Sequence, residues 1–274
     1  MMKPRVLSGV SVYTRNQKAA KEFYVNKVGL MVRDWSPKWG YLELGTSKTG
    51  EDASINVWQP TRELWGDVYD DVKNQIGVVT CIGFSSGDIE WTVKGLKRKK
   101  VEVEWPSMGD ENMATVTDPE KNSFFFFQSE KSKQKKAGLQ KLEFVTVVTR
   151  DWKKAGEFWT RAVGMKRGME FEENFWAYSL SPRGTSLCPF TPVKEMYSNV
   201  SDYEDDMKHI GEYTGIMFTT DDIFKLQKEM FERGVIFMKK AEKAAWGGME
   251  AAFYDHDKNT YSLIQPAKVT PKRK

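Results

Sequence analysis

Few residues of this chain could do chemistry, and they are scattered. Its 274 residues include two histidines, His209 and His256, and two cysteines, Cys81 and Cys188. That limits any histidine-rich metal site. The cysteines lack CxxC spacing for zinc and are too few for a disulfide scaffold. His256 stands between two aspartates and reads as an exposed turn residue. His209, in MKHIGEY, lies near a long connection and ranks higher as a site residue. Asp67, Asp70 and Asp71, and Asp202, Glu204, Asp205 and Asp206, form acidic clusters. They read as helix N-terminal charge and solvation, and their spacing matches no EF-hand loop. There is no P-loop, no GxGxxG after a strand and no GxSxG, so phosphate-loop and serine-hydrolase chemistry lack support.

The elements that must position these residues are repeated. SVYTRNQKAAKEFYVNKVGL at 11–30 returns as TVVTRDWKKAGEFWTRAVGM at 146–165. GFSSGDI at 83–89 returns as MFTTDDI at 217–223, and ATVTDPEKNSFFFFQ at 114–128 as AAFYDHDKNTYSLIQ at 251–265. The chain is therefore a duplication of a unit of roughly 130 residues, an ordinary domain size. The first unit spans 1–129, with modules at 5–60 and 77–128. A basic linker follows at 130–138. The second unit spans 139–266, with modules at 140–192 and 213–265, and a basic tail fills 267–274. Alternating β-branched residues predict a strand at 5–13, and Ala19, Ala20, Phe23 and Tyr24 at helical spacing predict a helix at 18–28. Three short strands follow, and the order repeats in every module. The connections 61–76 and 191–213 carry Trp65, Tyr69, Met196, Tyr197 and Tyr203 and are expected to be lids.

Three features carry a family resemblance. They are the helix endings EFYVNKVG and EFWTRAVG, the Asp88-Ile89 and Asp222-Ile223 helix starts, and the turns DPEKN and DHDKN. In this order, twice over, they resemble the vicinal-oxygen-chelate superfamily, which includes glyoxalase I, extradiol dioxygenases and the bleomycin-resistance proteins. Lys121 and Lys258 stand where that family usually has Gly. The resemblance implies an α+β fold of four βαβββ modules in two tandem units, forming curved, cupped mixed sheets. It also implies a cavity where a divalent metal acts as Lewis acid on substrate oxygens. Carried over residue by residue, the family's ligand positions fall on Gly9, Asn56, Cys81, Phe125, Phe144, Cys188, Gly215 and Ser262. None is His, Gln, Glu or Asp. The resemblance thus implies the fold and argues against the metal, so no cofactor is expected. A shift of one residue would bring in Glu143 but turn it to the other sheet face, which makes it a surface or rim residue.

Parity outward from those positions adds Ser11, Tyr13, Trp58 and Phe127 in the first unit, and Thr146, Phe190, Met217 and Ile264 in the second. The expected ligand-binding set is Tyr13, Asn56, Trp58, Cys81, Phe125, Phe144, Cys188, Phe190, Met217 and Ser262. Such walls suit flat or amphipathic organic ligands, although Phe125 and Phe144 could equally fill the space as core. If modules pair crosswise, Cys81 and Cys188 share one cavity and could form a redox or soft-metal pair. If each unit closes on itself they lie apart. Either way, a small buried apolar residue is the simpler reading of each.

The leading expectation is a metal-independent protein that binds a small organic molecule, as a monomer or homodimer. One rival is a lyase, isomerase or dioxygenase using displaced carboxylates such as Glu43, Glu143 or Glu250. Another is a protein-interaction module with filled cavities. Bulk composition narrows the setting. Apolar residues make up 40%, charged residues 29%, and the net charge is +4. No apolar run nears the ~18 residues of a membrane span, and the N-terminus has no apolar signal core. A cytoplasmic protein is expected. Lys131, Lys133, Lys135, Lys136, Lys268, Lys272, Arg273 and Lys274 place the excess positive charge in linker and tail. The modules themselves are slightly acidic, which argues against nucleic-acid binding.

Overall fold

The computed structural model describes residues 1–50, 52–77, 82–105, 112–128, 138–172, 175–197 and 199–267. Most of the expected linker and the tail beyond Ala267 lie outside them. The fold is α+β, with two eight-stranded mixed sheets. The first module runs β1 (Val6–Tyr13), α1 (Gln17–Lys21), β2 (Met31–Ser36), β3 (Tyr41–Gly45) and β4 (Ser54–Trp58). Short helices α2 (Arg62–Trp65) and α3 (Tyr69–Asn74) occupy the following connection. The second module runs β5 (Ile82–Ser86), α4 (Ile89–Arg98), β6 (Val103–Glu104), β7 (Met113–Thr117) and β8 (Ser123–Phe127). The third runs β9 (Leu139–Val148), α5 (Trp152–Glu157), β10 (Lys166–Glu172), β11 (Phe175–Ser179) and β12 (Ser186–Phe190). After α6 (Val200–Lys208) the fourth runs β13 (Tyr213–Thr219), α7 (Ile223–Glu232), β14 (Ile236–Lys243), β15 (Met249–Tyr254) and β16 (Thr260–Gln265). No helix among the described residues is long and apolar enough to cross a membrane.

The chain divides into two compact units, Gly9–Thr146, and Met1–Ser8 with Val147–Lys274. In the first, β1 pairs in parallel with β4, which continues antiparallel through β3 to β2. Likewise β5 pairs in parallel with β8, which continues through β7 to β6. In this unit β9 also pairs antiparallel with β5. In the second unit β13 pairs in parallel with β16, then β15 and β14, while β10, β11 and β12 run antiparallel.

Each module helix starts on an Asn or Asp whose side chain caps the first turn. Asn16 accepts from the Ala19 amide at 3.1 Å, Asp88 from Trp91 at 2.8 Å, Asp151 from Lys153 at 3.0 Å and Asp222 from Lys225 at 3.0 Å. Such caps satisfy orphan amides at about 1 kcal/mol each. The helices cover one sheet face, where Leu42, Leu44, Ile55 and Val57 are at most 1% exposed. α1 and α5 do not end simply. They continue as π-helical turns, Glu22–Val28 and Phe158–Val163, which stop at left-handed Gly29 and Gly164. The DPEKN and DHDKN turns keep their left-handed residue even though it is lysine. Lys121 has φ 79° and Lys258 φ 71°, a conformation that costs a side-chain-bearing residue about 1–2 kcal/mol.

Both turns are anchored by a buried aspartate, and each copy supplies the hydroxyl differently. Asp118 accepts the Glu120 and Asn122 amides at 2.8 and 2.9 Å and the Tyr24 hydroxyl at 2.6 Å. Asp255 accepts the Asp257 and Asn259 amides at 2.9 and 3.0 Å, but its hydroxyl comes from Tyr261, at 3.0 Å. In the repeat, Tyr24 corresponds to Trp159 and Phe124 to Tyr261. The hydroxyl has moved from helix to strand, and the aspartate keeps it.

Candidate functional site

Register places one set of side chains together on the face of β1, β3 and β4 turned away from the apolar core. Tyr13 lies opposite Trp58, and Trp58 opposite Tyr41. Two residues inward, Ser11 lies opposite Asn56, and Asn56 opposite Glu43. Cross-strand partners share a face, so these side chains form two adjacent rows. The inner row is a polar floor. Asn56 is 1% exposed, and its Oδ1 accepts from the Tyr41 hydroxyl at 3.0 Å and from Ser54 Oγ at 3.2 Å. The same Tyr41 hydroxyl lies 3.1 Å from Glu43 Oε2, so one proton serves two acceptors. Burial, and then the Glu43 carboxylate, hold the Tyr41 phenol well above its ordinary pKa. It stays protonated and remains a donor.

The outer row is a wall of rings. Tyr41 and Trp58 lie 4.6 Å apart, centroid to centroid. Trp65 stands edge-on to Trp58 at 5.7 Å and to Tyr13 at 6.2 Å. Trp65 arrives from the connection after β4. There the Thr61 side chain accepts from the Leu64 amide at 3.4 Å and starts α2, whose last residue is Trp65. This connection is folded into helical turns rather than left as an extended loop.

The corresponding face of β5, β8 and β9 is built differently. Phe144 lies against Gly83, where an added Cβ would meet its ring carbons at 2.3 Å. Its ring sits 5.4 Å from that of Phe127. Phe125, opposite Gly83, shares the face. Here the expectation for Glu143 is corrected. The β5–β9 register passes from Gly83 opposite Phe144 to Phe84 opposite Leu142. Glu143 is therefore the extra residue of a β-bulge. It stays on the face of Phe144, with Ser85 Oγ 3.4 Å and Lys141 Nζ 2.9 Å from its carboxylate.

In the second unit Cys188 is 1% exposed on β12, with half-buried Phe190 two residues on. Ala177, 4% exposed, stands opposite Cys188, so no counterpart of the Glu43–Asn56 pair exists there. Met217, Ser262 and Ala252 line up across β13, β16 and β15, and the Tyr213 hydroxyl lies 3.3 Å from Ser262 Oγ. On the same face, Glu250 pairs with Lys239 at 2.6 Å. Cys81 lies outside the described residues. His256 is the exposed turn residue expected. Its Nε2 lies 3.3 Å from both Thr149 Oγ1 and the Asp257 carboxylate. His209 pairs with Glu212 at 2.9 Å. A surface depression of about 530 Å³, lined by Glu90, Val93, Lys94, Lys97, Arg98 and Trp105, flanks α4 and contains none of the expected residues.

Sequence reasoning missed Tyr41 and Ser54. Ser54 carries the parity of Asn56, two residues away, and was open to the same argument. Tyr41 needs the β3–β4 register, which no motif announces.

The described residues at the family's ligand positions do not fit a divalent cation. Gly9, Phe125, Phe144 and Gly215 offer no donor side chain, and the Asn56 oxygen already accepts two hydroxyls. Glu143 and Glu250 are each bound to a lysine. Among the described residues, no three His, Cys, Asp or Glu side chains group as a metal site would need.

Comparison with known proteins agrees with this architecture. Glyoxalase I from Zea mays is similar over 95% of this chain and 92% of its own, at 15% identity and a TM-score of 0.67. A candidate dioxygenase from Bacillus subtilis subsp. subtilis str. 168 is similar over 97% of this chain and 87% of its own, at 14% identity and a TM-score of 0.63. A superfamily member from Sphaerobacter thermophilus DSM 20745 covers 45% of this chain and 95% of its own, at 27% identity and a TM-score of 0.39. No curated protein sequence matches. Residues 141–263 match the model of the Glyoxalase/Bleomycin resistance protein/Dioxygenase superfamily.

Proposed function

We propose that this protein binds a small organic molecule on the β1–β3–β4 face and does so without a divalent metal. One observation carries the reading. Asn56 is almost fully buried, its oxygen is committed to Tyr41 and Ser54, and its NH2 group has no partner among the described residues. That NH2 opens onto the face rather than being sealed in the core, so an acceptor can reach it. A carbonyl or ether oxygen of a ligand lying between Tyr13, Trp58 and Trp65 would satisfy it. Ring walls with a few convergent polar groups are the usual composition of a small-molecule site. The face needs no chemistry beyond holding its ligand, so sequestration is sufficient. The ligand-binding set of this reading is Tyr13, Tyr41, Glu43, Asn56, Trp58 and Trp65.

The β5–β8–β9 face supports the filled-cavity reading instead, because the Phe144 ring occupies the space above Gly83. We read that face as closed to ligands.

The test is a tryptophan-fluorescence titration with flat organic molecules that carry a hydrogen-bond acceptor, on the full chain and on Trp58→Ala and Asn56→Leu. Saturable binding that both substitutions weaken is expected. Elemental analysis of the dialysed protein accompanies it. Absence of saturable binding across the set, or a stoichiometric divalent metal lost on Asn56→Leu, would overturn the proposal.

A further inference from the structure

Several carboxylates near these sheet faces are matched to a cation of the chain itself. Asp52 meets Arg33 at 2.9 Å, Glu143 meets Lys141 at 2.9 Å, Asp257 meets Arg150 at 3.1 Å and Glu250 meets Lys239 at 2.6 Å. Glu120 meets Arg15. Glu43 is different. Its one hydrogen bond is with the Tyr41 hydroxyl, and among the described residues no Lys, Arg or His lies within ion-pairing distance. Asp34, its cross-strand neighbour on β2, adds a second negative charge. The nearby cations are engaged elsewhere: Arg33 by Asp52, and Lys21 over the Trp35 ring at 3.3 Å.

This unmatched carboxylate sits beside the rings of Tyr41 and Trp58, with Trp65 standing at right angles to Trp58. An aromatic face carries negative charge density, and rings set at angles present it from several sides. A hard metal ion would need six or more oxygens, which this floor does not supply. A weakly hydrated organic cation needs only ring faces and one counter-charge.

We infer that the β1–β3–β4 face selects organic ammonium compounds, with the cationic nitrogen beside Glu43 and against the Tyr41, Trp58 and Trp65 rings. The inference rests on the proposed ligand-binding role of this face and adds the charge of its ligand. Asn56 would then hold an acceptor elsewhere on the same molecule.

The experiment is calorimetric titration of the full chain with benzyltrimethylammonium, its neutral isostere neopentylbenzene, and benzenesulfonate. The ammonium is expected to bind about tenfold or more tightly than the neutral compound, the sulfonate least, with higher salt narrowing the difference. Glu43→Gln keeps an acceptor for Tyr41 and should bring the ammonium to within about threefold of the neutral compound. Equal binding of charged and neutral compounds by the unaltered protein would overturn the inference and leave the ligand-binding proposal standing. Failure of all three compounds, together with the flat acceptor-bearing molecules above, would overturn both. An ammonium preference that survives Glu43→Gln and is lost in Asp34→Asn would move the cation to β2 and refute the assignment to Glu43.

Discussion

Exchanging Tyr24 and Phe124 tests whether the two copies solve one packing problem in two ways. The Tyr24 hydroxyl lies 2.6 Å from Asp118 Oδ2, and the two residues are 1% and 4% exposed. Removing it in Tyr24→Phe leaves that oxygen with the Asn122 side-chain amide at 2.9 Å, in a site that water cannot easily reach. A buried hydrogen bond to a charged acceptor contributes about 1.5–3 kcal/mol, so a loss of about 2 kcal/mol is expected. That corresponds to a fall of roughly 4–8 °C in Tm at this chain length. The Tyr24 and Phe124 rings meet edge to face at 5.5 Å, as Trp159 and Tyr261 do at 4.8 Å. Adding Phe124→Tyr should therefore return a hydroxyl to Asp118 from the strand side and recover about half of the loss or more. Urea unfolding of the two single variants and the double variant measures this, provided the m-value holds constant. The reasoning fails if Tyr24→Phe is neutral, or if the double variant is no more stable than Tyr24→Phe alone.

Three further outcomes are expected. Lys121→Gly and Lys258→Gly should each stabilise the protein by up to about 1 kcal/mol, because relief of the left-handed strain exceeds the added freedom of the unfolded chain; a loss of stability in urea would contradict the turn geometry. Gly83→Ala should cost about 1–3 kcal/mol by overpacking against Phe144, and the combination with Phe144→Ala should fall well short of the sum of the two single losses. Burial raises the Tyr24 and Tyr261 phenols well above their ordinary pKa. A raised folded-state pKa gives a contribution that is complete below about pH 10 and is lost as pH rises beyond it. In a spectrophotometric titration these two tyrosines should ionise only as the protein unfolds, whereas reversible ionisation in the folded state would contradict it.

The architecture was legible because duplication doubles every signal. The Asp88 and Asp222 caps, the two DxxKN turns and the paired helix endings each confirm one another across the repeat. The bulge at Glu143 was not legible. A strand read with period two assigns neighbouring residues to opposite faces, and nothing in LQKLEFVTVV marks where that period slips by one. The π-helical turns were hidden for a similar reason, since over one or two turns a period that slips by one residue reads like a regular helix. On the candidate site, Tyr13, Asn56 and Trp58 followed from parity along single strands. Tyr41 and the pairing of Glu43 with Asn56 depend on how β3 aligns with β4, a contact between segments that no local pattern encodes. Trp65 was noticed in a connection, but its approach to Trp58 and Tyr13 depends on the Thr61 cap and the turn it starts.

The π-helical turns also put the history of the chain in order. An extra residue in the same place in both copies is an inheritance, present in the single ancestral unit before it was copied. The left-handed lysines of the two turns share that antiquity. The polar floor of Tyr41, Glu43 and Asn56 has no twin, since the second copy carries Phe175, Ala177 and Cys188 there. It is a trait of one descendant. Duplication left one half free to keep or acquire a chemistry that the other does not have, while the older joints of the scaffold went on unchanged in both.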